Sequence, residues 1–139
     1  MFDKKTILLA YHERKVRNVL RQKLKPNYDL LFAEDGVQAV RVYESHAERI
    51  ATIVIELRLP KLNGRAVTQW VHHILPDLPV IISGSVIDPD VKELLENPSV
   101  RFIQKPLRLS ELNNSYMKLS ADERRRNHPA DRCRREPAS

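Results

Sequence analysis

A chain of 139 residues with 42% hydrophobic and 30% charged side chains fits one soluble domain that can bury a core without disulfide or metal staples. Its single cysteine, Cys133, excludes an intramolecular disulfide framework, and no apolar run approaches a membrane span, so a reducing cytoplasm is the expected compartment. The formal charge is +6, and residues 118–139 supply +3 of it through seven Lys or Arg against four Asp or Glu, which leaves the body only mildly basic.

The first apolar run, Thr6 to Ala10, has strand length, and TILLA is too short for a signal peptide. Helical spacing follows from His12 to Lys25. At about 100° per residue, Val16, Val19, Leu20 and Leu24 share one side, and Arg14, Arg17, Arg21 and Lys25 form a stripe opposite, with Pro26 as the stop. Lys23 falls in the apolar sector, where its stem packs while the ammonium reaches water. A second strand, Asp29 to Ala33, leads to a helix from Gly36 to Ala47. A third, Ala51 to Glu56, leads to a helix from Gly64 to Leu75, in which Val67, Trp70, Val71 and Ile74 recur at helical period. Trp70 therefore reads as core or rim packing, and His72 and His73 as solvated surface. A fourth strand, Pro79 to Ser83, precedes a short helix from Pro89 to Asn97, with Asp88 as its cap and Pro89 in its first turn. The fifth strand is Val100 to Ile103, and a last helix begins near Ser110.

After Leu119 the run SADERRRNHPADRCRREPAS has too little apolar surface to offset the entropy of ordering. The expected organisation is one domain over residues 1–119 and a basic tail over 120–139, disordered or a linker, with the last helix extending to about residue 126. Five strands alternating with helices imply a doubly wound α/β fold: a parallel sheet, right-handed crossovers, and helices on both faces.

In such sheets, sites form beyond the carboxyl ends of the strands, where the strand order reverses. The residues standing there are Tyr11 and His12 after the first strand, Glu56 ending the third, Ser83 ending the fourth, and Lys105 past the fifth. A carboxylate, a hydroxyl and an ammonium facing one crevice are suited to handling phosphate.

Several motifs together carry a resemblance: Ile7-Leu8-Leu9-Ala10, Ala33-Glu34-Asp35-Gly36, IVIELRLPKLNG from Ile53 to Gly64 with its Pro-x-x-x-Gly turn, Pro79-Val80-Ile81-Ile82-Ser83, and Phe102-Ile103-Gln104-Lys105-Pro106. Over roughly residues 5–119 the chain resembles the CheY-like receiver domains of two-component response regulators. The resemblance implies the flavodoxin-like strand order 2-1-3-4-5 and a cis peptide at Lys105-Pro106. It also implies a pocket in which an acidic pair holds Mg²⁺ and an aspartate accepts a phosphoryl group from a histidine kinase. By that resemblance Ser83 and Lys105 are retained pocket residues and Phe102 is the switch aromatic. Tyr11 and His12 stand in the places of the acidic pair, and Glu56 in that of the phosphoacceptor aspartate.

The expectation is thus a pseudo-receiver that lacks Mg²⁺ and other cofactors, is not an enzyme, and acts by contact with signalling proteins, such as a histidine kinase or an output protein. Phenol and imidazole do not replace the negative oxygens that Mg²⁺ requires. Glu56 either mimics the phosphorylated state, pairing with Lys105 and accepting a hydrogen bond from Ser83, or only neutralises Lys105. Two alternatives are a conventional Mg²⁺-dependent phosphoacceptor, and a nucleic-acid binder using the first helix and the arginine tail. The stripe on that helix contains no aromatic residue, so a solvated face is its simpler reading. A homodimer through the fourth-to-fifth helix face is a further expectation.

Overall fold

The computed structural model describes residues 4–105. Within them the chain order is β1 (Lys5–Ala10), α1 (Arg14–Leu24), β2 (Tyr28–Ala33), α2 (Gly36–His46), β3 (Ile50–Glu56), α3 (Gly64–Ile74), β4 (Val80–Gly84), α4 (Pro89–Leu94) and β5 (Val100–Gln104). The five strands form one parallel sheet in the order β2-β1-β3-β4-β5. This is the flavodoxin-like arrangement. The last helix, the Lys105-Pro106 peptide, and the basic tail lie outside the described residues.

The central strands are apolar on both sides because both faces are covered. Leu8, Ile53, Ile55, Val80 and Ile82 pack with Ala39 and Tyr43 of α2, Val67 and Val71 of α3, and Leu94 of α4. On the other face Ile7, Leu9, Val54, Ile81 and Ile103 pack with Leu20 and Leu24 of α1. Trp70 is half-buried and meets Tyr43 edge-to-face at 5.8 Å, as its helical position required.

Asp35, Asn63 and Asp88 each accept a hydrogen bond from a backbone N–H in the first turn of α2, α3 and α4. The N–H of Gln38 thereby holds the Asp35 carboxyl below its ordinary pKa. Helix α1 begins two residues later than its spacing suggests. Glu13 takes the capping position with extended backbone and makes no capping bond. Val19, expected on the apolar side of α1, is 52% exposed. Helix α4 stops at Leu94 rather than Asn97, because the Asn97 side chain turns back to accept from Ser99 N–H and to donate to the Pro76 carbonyl.

His72 is a second departure from the sequence reading. It is half-buried, and its Nε2 donates to the Leu78 carbonyl at 2.8 Å while Nδ1 accepts from Asn97 at 3.3 Å. This neutral tautomer ties the end of α3 to the segments entering β4 and β5; His73 is exposed. Replacing His72 with Phe removes the donor to the Leu78 carbonyl and one of the two acceptors of the Asn97 amide, which keeps its bond to Pro76. We expect a stability loss of about 1–3 kcal/mol, seen as a lower urea midpoint at constant slope, whereas an unchanged midpoint contradicts the role.

Candidate functional site

The register of the sheet sets the site. Glu56 lies beside Ser83 across β3 and β4, and Ala10 beside Ile55 across β1 and β3, so Tyr11 and His12 emerge next to Glu56. Lys105 follows β5 and is fixed by its N–H on the Gly84 carbonyl at 2.8 Å. The five residues predicted to converge do so at one end of the sheet.

The loop from β3 to α3 forms the wall of this site. Gly64 donates to the Leu57 carbonyl at 2.7 Å, and a Cβ on it would lie 2.6 Å from the Glu56 carbonyl oxygen, so only glycine lets α3 start so close to the acid. Lys61 adopts φ 70°, a left-handed conformation that is costly for a side chain with a Cβ, and its ammonium faces Asp35 at 3.5 Å. Gly36 donates to the Pro60 carbonyl, and a Cβ there would lie 1.9 Å from the Leu62 carbonyl oxygen. The motifs Asp35-Gly36 and Pro60-Lys61-Leu62-Asn63-Gly64 thus act as one docked unit.

Glu56 is 8% exposed. Its Oε2 accepts from Lys105 Nζ at 2.5 Å, and its Oε1 accepts from the His12 backbone N–H at 3.3 Å. Tyr11 is 2% exposed and belongs to the core on the α1 side, and its hydroxyl lies 2.9 Å from Ser83 Oγ. Ser83 therefore engages Tyr11, not Glu56 as one sequence-based reading supposed. Burial raises the Tyr11 pKa well above its ordinary value; the Ser83 hydrogen bond opposes this, and the nearby Glu56 charge adds to it, so the phenol stays neutral. His12 turns its Nδ1 to the Glu34 carbonyl at 3.2 Å, and since a carbonyl only accepts, Nδ1 carries the proton. Phe102 is half-buried, packed against the core beside Gly84 and next to Ile82 in the register.

Sequence reasoning missed Arg17. Its Nη1 donates to the Tyr11 carbonyl at 2.7 Å and to the His12 carbonyl at 2.8 Å, while its Nη2 lies 3.6 Å from Glu34. Its side chain is only 14% exposed, so it clamps the loop carrying Tyr11 and His12 instead of joining a solvated stripe. No spacing marks it, because the carbonyls it binds carry no sequence signal.

This parallel fold, with a carboxylate, a hydroxyl and a lysine at its carboxyl end, defines a receiver-type module. The response regulator receiver domain family matches residues 7–116, and the chain belongs to that family. It is similar to the two-component response regulator-like PRR73 of Oryza sativa subsp. indica, 30% identical over 114 residues covering 79% of this chain and 15% of that protein. It is also similar to the response regulator MprA of Mycobacterium ulcerans, 32% identical over 77 residues covering 55% of this chain and 32% of that protein. The chain thus matches well under half the length of these curated relatives. The fold is shared with the signal receiver domain of an HD domain-containing protein from Pseudomonas fluorescens Pf-5, with a TM-score of 0.77 at 22% identity over 87% of this chain and 98% of that one. Its place is in two-component signalling, where receiver domains are generally signalling domains rather than enzymes. Among the described residues no helix is long and apolar enough to cross a membrane.

The raised Tyr11 pKa means that the folded state binds a proton more tightly than the unfolded chain does. Its stabilising effect is fully present below the ordinary tyrosine value of 10.0 and is lost as pH rises beyond it. We expect unfolding free energy to be insensitive to this group at neutral pH and to fall above about pH 10. Tyr11→Phe should make that alkaline fall shallower, with Tyr43, also raised by burial, retaining a share. The same variant should lose about 1–2 kcal/mol at neutral pH, because the buried Ser83 hydroxyl loses its partner. An alkaline limb identical to that of the parent contradicts the assignment.

Proposed function

We propose that this receiver works as a fixed-shape contact module in two-component signalling, without bound magnesium and without a phosphoryl group on Glu56. The observation that supports this best is the engagement of both Glu56 carboxylate oxygens, one by Lys105 and the other by the His12 N–H. A divalent magnesium ion requires oxygen ligands in near-octahedral array, with one or two carboxylates to offset its charge. The donors available are one carboxylate already paired with an ammonium, one neutral phenol directed at Ser83, and one imidazole directed at a carbonyl. That set does not fit the ion.

Phosphoryl transfer depends on positioning and on charges that meet the developing negative charge. With the metal absent and Lys105 held by Glu56, neither is provided. A carboxylate one methylene longer than aspartate also places its oxygens farther along the crevice. Glu56 thus takes the role of counter-ion to Lys105. It is an incomplete copy of a phosphorylated aspartate, since Ser83 is held by Tyr11 and donates nothing to it.

Signalling then proceeds by protein contact through the α4 and β5 side. Val86 and Ile87, in the loop entering α4, are 64% and 43% exposed and supply apolar surface for a partner protein. The homodimer face expected from the sequence includes a fifth helix that lies outside the described residues.

The reading is tested by an NMR titration of the full chain with magnesium and beryllofluoride. We expect no shifts at the amides of Glu56, Ser83 and Lys105 in millimolar magnesium. The combined changes Tyr11→Asp, His12→Asp and Glu56→Asp should restore magnesium-dependent shifts at those residues. Saturable shifts in the parent chain would overturn the proposal.

A further inference from the structure

The segment from Arg14 to Lys25 holds six Lys or Arg and no acid, a charge equal to the +6 of the whole chain. The basic tail over residues 118–139 adds +3 and the other residues together carry −3, so within the folded body the positive charge is concentrated on this one segment. At the end of the sheet opposite Glu56, a cleft of about 430 Å³ opens between the last turn of α1 and the edge strand β2. Four cations line it, Lys4, Arg21, Lys25 and Arg49, against a single carboxylate, Asp29. No ion pair to any of these four is found among the described residues. One cation at the end of α1 would suffice to answer the partial negative charge of the helix terminus, about half a unit; four around one cleft exceed that need.

The stripe on α1 contains no aromatic residue, but folding supplies one. The Arg21 guanidinium sits 4.7 Å over the ring of Phe32 from β2. Stacking leaves the N–H edge of a guanidinium at the ring's periphery. Arg21 uses Nη1 for a long 3.4 Å bond to Asn18 Oδ1, its other N–H groups can meet phosphate oxygens, and its outer plane is a surface on which a nucleobase stacks. Lys4 is drawn to the same place, its Nζ 3.5 Å from the Lys25 carbonyl.

We propose that this cleft binds a nucleotide phosphate, presented by a free nucleotide or by one unit of a single strand. The volume falls within the range of small-ligand sites, about 300–1,000 Å³. Cations that form no ion pair among the described residues, beside an arginine–aromatic stack, match the way single strands are held, with a positive groove for the backbone and flat groups for the bases. An acidic peptide would satisfy the charges but leave the flat face of Arg21 unused.

The test is fluorescence anisotropy of a labelled short single-stranded oligonucleotide with the full chain, with adenosine monophosphate and polyglutamate as competitors. We expect affinity to fall on the order of twenty-fold between about 50 and 200 mM salt, as for three neutralised phosphates. Arg49→Glu and Lys25→Glu should each weaken binding about tenfold or more while leaving the melting temperature unchanged, and Arg49→Gln with Lys25→Gln should act in the same direction. Displacement by adenosine monophosphate identifies a free nucleotide as sufficient; displacement only by unlabelled oligonucleotide identifies the strand as the ligand. Affinity unaffected by these substitutions, as when the arginine tail does the binding, overturns the proposal. Equal competition by polyglutamate of matched charge, or no binding at low salt, also overturns it.

Discussion

The contact between Glu56 and Lys105 organises this end of the molecule. A carboxylate that is 8% exposed at the end of a central strand would be strongly disfavoured without a partner, and Lys105 supplies one across the neighbouring β4 strand. Once the pair forms, the surroundings adapt to a site that is close to neutral. The phenol of Tyr11 sits within the core and bonds Ser83, kept neutral mainly by its burial. His12 contributes its backbone N–H to the acid and its ring to the Glu34 carbonyl, so its imidazole faces the next loop.

The loops that hold this pair are placed by close backbone approach. Glycines at positions 36 and 64 let the turn after β3 dock on α2 and let α3 start against the Glu56 carbonyl. Arg17 closes the opposite side by collecting two consecutive carbonyls of the loop after β1. An arginine suits this task because its planar fork presents several donors at once. The crevice lies at the strand ends where a receiver pocket lies, and its carboxylate and ammonium are paired with each other.

Much of this was legible in the residues. The alternation of apolar runs with helical spacing was enough for the doubly wound fold and the meeting of Tyr11, His12, Glu56, Ser83 and Lys105, while the strand order came from the resemblance to receiver domains that the turn sequence after Glu56 and the lysine after β5 help to carry. What was not legible depended on partners that have no side-chain signature. Arg17 looked like part of a solvated stripe because its acceptors are backbone carbonyls. His72 looked solvated because its partners come from the segments entering β4 and β5, and Ser83 was assigned to Glu56 because nothing in the spacing reveals how far a tyrosine reaches. The aromatic partner of Arg21 was hidden for the same reason, since Phe32 lies on a different element.

The central claim is that Glu56 is held by Lys105 as an internal pair rather than kept available for chemistry. A double-mutant cycle measures this directly, comparing Glu56→Gln, Lys105→Met and the combined variant by urea unfolding. A coupling of about 1–3 kcal/mol, diminishing only modestly with salt because the carboxylate is buried, is the predicted result. A coupling near zero, with each single change as harmless as a surface substitution, would contradict it.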